Sequence, residues 1–186
     1  MTFVVRGKSD VGRRGCKNPL FFFKPLYEME EFITYGIIFK KEKFNRIRNC
    51  GFLNKPKGGL WCSPVKCEYS WRRWCENEDF HTERLSTYTR FRLKEGSKIY
   101  EIRTLEDWDK LIKNYSYQPE KEIPDRCIDF ESLEKAGYQG CRAIGDIVMD
   151  LRYDGRGTML GLNAWDCESM VIFDYSIIEI LEERRG

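Results

Sequence analysis

One histidine, His81, is all the chain contains, and it has no Gly-x-Gly-x-x-Gly and no phosphate-loop Gly-x-x-x-x-Gly-Lys. The first scarcity excludes mechanisms that need two histidines. The missing glycine motifs remove the usual signatures of dinucleotide and nucleotide folds. No stretch approaches the roughly 20 apolar residues of a membrane-spanning helix. The longest early apolar run, Leu20 to Phe23, is stopped by Lys24 and Pro25. Arg6, Lys8, Asp10, Arg13 and Arg14 leave no room near the start for the roughly 7–15 apolar residues of a secretory signal. The expectation is a cytoplasmic protein with no membrane partner.

What is present bounds the rest. With 186 residues, 41% hydrophobic and 15% aromatic, the chain can bury one substantial core. It reads as a single domain over 1–186, with 1–31 as an N-terminal flap around the apolar patch at Leu20–Tyr27. Eight cysteines without an export signal imply reduced thiols. Cys62, Cys67 and Cys75 lack the short paired spacings of zinc ribbons, so no metal is expected. Net charge is only +2, but residues 40–73 hold ten basic side chains against two acidic ones. Such a run is either a solvated face or a surface for pyrophosphate or nucleic acid.

Along the chain, Phe32 to Phe39 is rich in β-branched and aromatic residues and reads as a strand with Gly36 as a bulge. Residues 40–57 read as a loop with a short helical turn near Glu42 to Ile47. A strand from Leu60 to Ser63 follows Gly58-Gly59, and a helix over Glu68 to Phe80 comes next. Thr87 to Leu93 alternates with period two, and Glu95-Gly96-Ser97 turns into Lys98 to Ile102, a pattern that predicts a hairpin. Thr104 and Asp107 form a capping box for a helix running to Tyr115. Phe130 to Ala136 reads as a helix, Cys141 to Ile144 as a strand, Asp146 to Leu151 as strand or helix, and Asp154 to Gly157 as a turn. Ser169 to Phe173 and Ile177 to Leu181 complete the set as strands. Strands and short helices without regular alternation predict an α+β fold.

Lys55-Pro56-Lys57-Gly58-Gly59-Leu60-Trp61-Cys62-Ser63-Pro64 puts cations and glycines before an aromatic on a strand. Glycines let backbone approach a flat ligand, cations suit a pyrophosphate, and aromatic faces stack on a heterocycle. Gly-Leu-Trp-Cys-Ser, with Tyr69 and Trp71 after it, resembles the Gly-Ile-Tyr-Phe-Ala element of ADP-ribosyltransferases of the poly-ADP-ribose-polymerase and diphtheria-toxin type. Trp165 to Asp174 is similar to that family's late glutamate and apolar strand. The resemblance implies two small, mostly antiparallel sheets packed against each other with short flanking helices. It places Thr34, Trp61 and Glu168 where the family has histidine, tyrosine and glutamate, with Asp166 as the alternative acid. It further implies NAD bound by Tyr35, Gly36, Arg46, Lys57, Gly59, Ser63, Tyr69 and Trp71. Thr34 departs from the family's histidine.

The implied activity is mono-ADP-ribosyl transfer from NAD to a macromolecule, protein or nucleic acid, as in a toxin or phage-defence effector with an antitoxin or inhibitor partner. The alternatives are an NAD glycohydrolase and a non-catalytic binding module that kept the fold. Each residue also has a plainer reading: Trp61 as core, Glu168 as a surface group beside a strand, and Tyr69, Trp71 and Trp74 as the buried face of a helix.

Overall fold

The computed structural model describes residues 30–51, 53–120, 126–153 and 161–186. All but the end of the expected N-terminal flap, and the expected turn at Asp154 to Gly157, lie outside the described residues. The elements are β1 (Glu31–Tyr35), β2 (Leu60–Pro64), α1 (Trp71–Asn77), β3 (Tyr88–Leu93), β4 (Ile99–Ile102), α2 (Leu105–Asn114), β5 (Ser116–Tyr117), β6 (Cys127–Ile128), α3 (Phe130–Lys135), β7 (Gly140–Ala143), α4 (Ile147–Tyr153), β8 (Ser169–Ile172) and β9 (Ile178–Arg184). The class is mixed α and β.

Seven strands form one mixed sheet in the order β4-β7-β8-β2-β1-β3-β9, and β5 and β6 form a separate pair. This differs from two separate small sheets of similar weight. The large sheet nevertheless has a seam. β1 and β2 pair only at Phe32 with Pro64 and Ile33 with Ser63, after which β1 continues along β3 while the start of β2 runs along β8. Phe32, Phe91 and Leu93 from one side of that seam share a core with Leu60, Cys62, Met170 and Ile172 from the other. A second core lies on the opposite face of β7 and β8, where Trp108, Leu111, Phe130, Leu133 and Leu151 of the helices cover Cys141, Ala143 and Val171.

The expected hairpin does not form. The turn is present, with Ser97 N–H donating to the Lys94 carbonyl at 3.2 Å and Gly96 at φ +78°. Both edges of β3, however, are taken by β1 and β9, so β4 crosses to the far edge and runs parallel to β7. The capping box of α2 does form, Thr104 Oγ accepting from Asp107 N–H and Asp107 accepting from Thr104 N–H. The helix expected from Glu68 begins only at Trp71, because Ser70 caps it. Asp146 to Leu151 resolves in favour of helix as α4.

Gly58 and Gly59 have an architectural cause. At φ +74° and +68° both occupy the left-handed region, and a Cβ on Gly58 would stand 2.2 Å from the Arg46 carbonyl oxygen. Replacing Gly58 by Ala is therefore expected to lower Tm by roughly 5 °C or more, since left-handed backbone alone costs a side chain about 1–2 kcal/mol. A thermal melt within a degree of wild type would rule out this close approach.

Candidate active site

A cavity of about 410 Å³ opens in the seam where β1 and β2 part. On one side stand Ile33, Thr34 and Tyr35, on the other Gly59 to Ser63, and Ala164, Trp165 and Asp166 close it from the segment before β8. Because the facing edges of the two strands pair with no other strand there among the described residues, backbone as well as side chains can present donors and acceptors to a ligand. Three stretches far apart in sequence thus meet at one hollow.

Its walls are largely aromatic. Trp61, half-buried, packs edge to face on Trp165 with centroids 4.9 Å apart, and Lys55 Nζ lies 5.1 Å from the Trp61 ring centroid. Trp165 Nε1 donates to the Asn54 carbonyl at 2.6 Å, and the Asn54 side chain bonds Gly161 O and Ile128 N–H. That buried asparagine fixes the position of Lys55 beside it. Trp71 reaches the cavity because Ser63 Oγ accepts its backbone N–H at 3.1 Å, docking the first turn of α1 on β2. Ser63 therefore acts through Trp71 as much as on a ligand.

The two candidate acids separate. Asp166 lines the cavity, partly exposed, with Arg152 at 3.5 Å. Glu168 is buried and turned away: its carboxylate bonds the Arg142 guanidinium and accepts from Gly145 N–H at 2.9 Å and from the Cys67 thiol at 3.2 Å. Alternate residues would share a face of an extended segment, but residues 161–168 run through turns and bends before β8 begins, so the two carboxylates diverge. Arg142 also grips Glu30 through two bonds of 2.6 and 2.8 Å. Burial opposes the Arg142 charge, yet the bonds and charges of Glu30 and Glu168 more than offset it and raise its pKa. Burial, then the Glu168 hydrogen bond and charge, push the Cys67 thiol up to about 12.

Of the residues expected to bind NAD, Tyr35, Gly59, Ser63 and Trp71 line the cavity together with Thr34, Trp61 and Asp166. Burial raises the Tyr35 phenol while a hydrogen bond from Arg72 draws it back. Four of the expected residues stand elsewhere. Gly36 has its N–H committed to Thr87 O at 2.8 Å. Arg46 is exposed and paired with Glu134, and Lys57 is exposed with its backbone bridged to Arg48. Tyr69 is 45% exposed, and the nearby Asp146 and Glu68 charges raise its phenol. Lys55 and Trp165 are the lining residues that motif matching passed over, although both lie inside the quoted runs.

A second hollow of about 450 Å³ continues past Ile37, Gly59 and Leu60, which it shares with the first. Lys40, Lys43, Phe44 and Arg185 line it. Its cations and Lys55 have no ion-pair partner among the described residues, whereas Arg72, Arg90, Arg92, Arg103 and Arg142 are each tied to a glutamate. Free positive charge thus collects at this cleft.

Comparisons of the chain with protein-family models, with curated proteins and with solved structures found no match.

Proposed function

We propose that the chain cleaves NAD and transfers its ADP-ribose to an acceptor, with the cavity between β1 and β2 as the reaction site. The observation that carries this reading is convergence: Thr34 and Tyr35, Gly59 to Ser63, and Asp166 lie in three separate segments, and all line one cleft. The cleft's size suits a small-molecule site, and its polar groups are few and localised. Trp61, Trp71 and Trp165 offer ring faces and edges to nicotinamide. Lys55, Lys40, Lys43 and Arg185 offer unneutralised cations to a diphosphate. An aromatic wall, a lone carboxylate and a free cationic extension together fit a dinucleotide better than they fit a purely apolar ligand.

The chemistry asked of the protein is modest. The bond between ribose C1′ and the nicotinamide nitrogen breaks, its electron pair leaves with nicotinamide, and the ring becomes neutral. Positive charge develops on the ribose, where the Asp166 carboxylate stabilises it electrostatically. An acceptor nucleophile then bonds to C1′ and gives up its proton to water. With water as the acceptor the same site is a glycohydrolase.

The test uses the full chain, titrated calorimetrically with NAD and incubated with NAD labelled in its ADP-ribose half plus a cell lysate. Binding within the usual enzymatic range of about 1 μM to 1 mM, with release of nicotinamide and labelling of macromolecules, is the expected result. No heat of binding up to millimolar NAD would overturn the proposal.

A further inference from the structure

Next to the reaction cavity lies a third hollow, of about 290 Å³, which shares Tyr35, Ile37 and Trp71 with it. Its outer wall is aromatic. Trp71 stacks on Trp74 at 4.9 Å, and the Phe80 ring stands edge-on to both, 6.0 and 5.2 Å away. His81 packs on Phe80 at 4.4 Å. Asp79 and His81, flanking Phe80, are the two non-glycine residues with positive φ among the described residues, at 49° and 48°. Backbone in this region is held against its preference, and such strain gathers at binding and switching sites. Here it flanks Phe80, which stands at the rim 41% exposed. The Arg84 side chain lies over Gly36 at the base of the hollow.

We infer that this third hollow docks the acceptor, and that the acceptor is a base of single-stranded nucleic acid; the inference rests on the ADP-ribosyl transfer proposed above. Three properties select that partner. Ring faces and edges on one side suit a flat heterocycle. The ionisable side chains lining the hollow are Arg84, His81 and the phenol of Tyr35, with no carboxylate among them, so the wall suits a phosphate better than an arginine or lysine acceptor, which would find ring faces but no counter-charge. Glu83, exposed and outside the lining, bonds His81 at 3.1 Å and lies 3.8 Å from Arg84, a long contact that leaves the guanidinium edge open to a phosphate. Finally, Trp71 is common to both hollows, so a base stacked there faces the reaction cavity. A base within a duplex has both faces covered and cannot reach such a platform without leaving the stack. In the transfer, a nitrogen or oxygen of the base bonds to ribose C1′, the bond from C1′ to nicotinamide breaks with its electrons on nicotinamide, and the base loses one proton to water.

The test measures fluorescence anisotropy of labelled 12-nucleotide single strands of DNA and RNA, and of the matching DNA duplex, against the wild-type chain, Phe80→Ala and Arg84→Ala, without NAD. Both replaced side chains are exposed, so the variants are expected to fold, and circular dichroism checks it. A single strand should bind more tightly than the duplex. Phe80→Ala should weaken that binding about five- to a hundredfold, the range for loss of one stacking partner. Arg84→Ala should flatten the salt dependence by about 0.7 in log–log slope, as for one phosphate contact to a single strand. Equal affinity for duplex and single strand, or single-strand binding indifferent to both substitutions, overturns the inference. NAD titrated into the wild-type chain in parallel separates the two ideas. NAD binding without single-strand binding removes the acceptor inference and leaves the transferase; single-strand binding without NAD binding removes the transferase and leaves a nucleic-acid module.

Discussion

Asp166→Asn should lower the rate of NAD cleavage by about two to three orders of magnitude and leave the melting temperature near that of wild type. The size follows from removing one preorganised charge aimed at a developing opposite charge, which typically costs that much in kcat. The intact fold follows from position. Asp166 is partly exposed, its one ion pair is long at 3.5 Å, and the amide can still accept from Arg152. KM for NAD should change far less than kcat, because the carboxylate acts on charge that appears only as the glycosidic bond breaks. Steady-state kinetics on purified Asp166→Asn would decide it. Turnover within threefold of wild type moves the chemistry away from this carboxylate.

The opposite profile is expected at Arg142, which lines none of the three hollows and is bonded to two glutamates. Its guanidinium, 5% exposed, lies 5.2 Å from the Phe32 ring centroid and neutralises Glu30 and Glu168 together. Arg142→Met would leave the buried Glu168 carboxylate, with the partly exposed Glu30 carboxylate nearby, without a counter-charge. Breaking a buried pair from one side costs about 3–5 kcal/mol. For a chain of this length that is a fall in Tm of roughly 6–20 °C. Adding Glu168→Gln to Arg142→Met removes one stranded charge and should recover part of the loss, although the amide keeps a single acceptor oxygen for Gly145 N–H and the Cys67 thiol. Thermal denaturation of the single and double variants checks both statements, and a double variant weaker than Arg142→Met would contradict the charge argument. Set beside the kinetics of Asp166→Asn, these melts test the division proposed for the two acids, Glu168 in the scaffold and Asp166 in the reaction.

Much of this was written in local sequence. The apolar run of Ser169 to Phe173, the period-two pattern of Tyr88 to Leu93 and the Thr104–Asp107 cap depend on neighbours a few residues away, and each marks a real element. Pairing between strands depends on residues a hundred positions apart, so neither the crossover of β4 to the edge beside β7 nor the single large sheet could be read from spacing. The site shows the same division. Motif order named Thr34, Trp61 and Glu168; the first two line the cavity beside the alternative acid Asp166, and Glu168 does not. Motif order could not tell that Gly58 and Gly59 are glycines for the sake of Arg46 and Ile172 behind them, nor that bends before β8 rotate Glu168 toward Arg142. Arg46 and Lys57 belonged to a basic run whose members face different directions once the loop is folded. Of that run only Lys40, Lys43 and Lys55 line the cleft, where Arg185 from just past the end of β9 joins them.

The seam between β1 and β2 has a consequence for how such a site can diversify. Its width is set by where two adjacent strands stop holding hands, at Ile33 and Ser63, rather than by the bulk of any one side chain. Zipping the strands one residue further would bring Thr34 against Cys62 and close the mouth, and unzipping them by one would admit a larger guest while the cores on either face keep their packing. A fold organised in this way can change the size of what it accepts by shifting a boundary of pairing, leaving the Asp166 carboxylate and the aromatic walls in place.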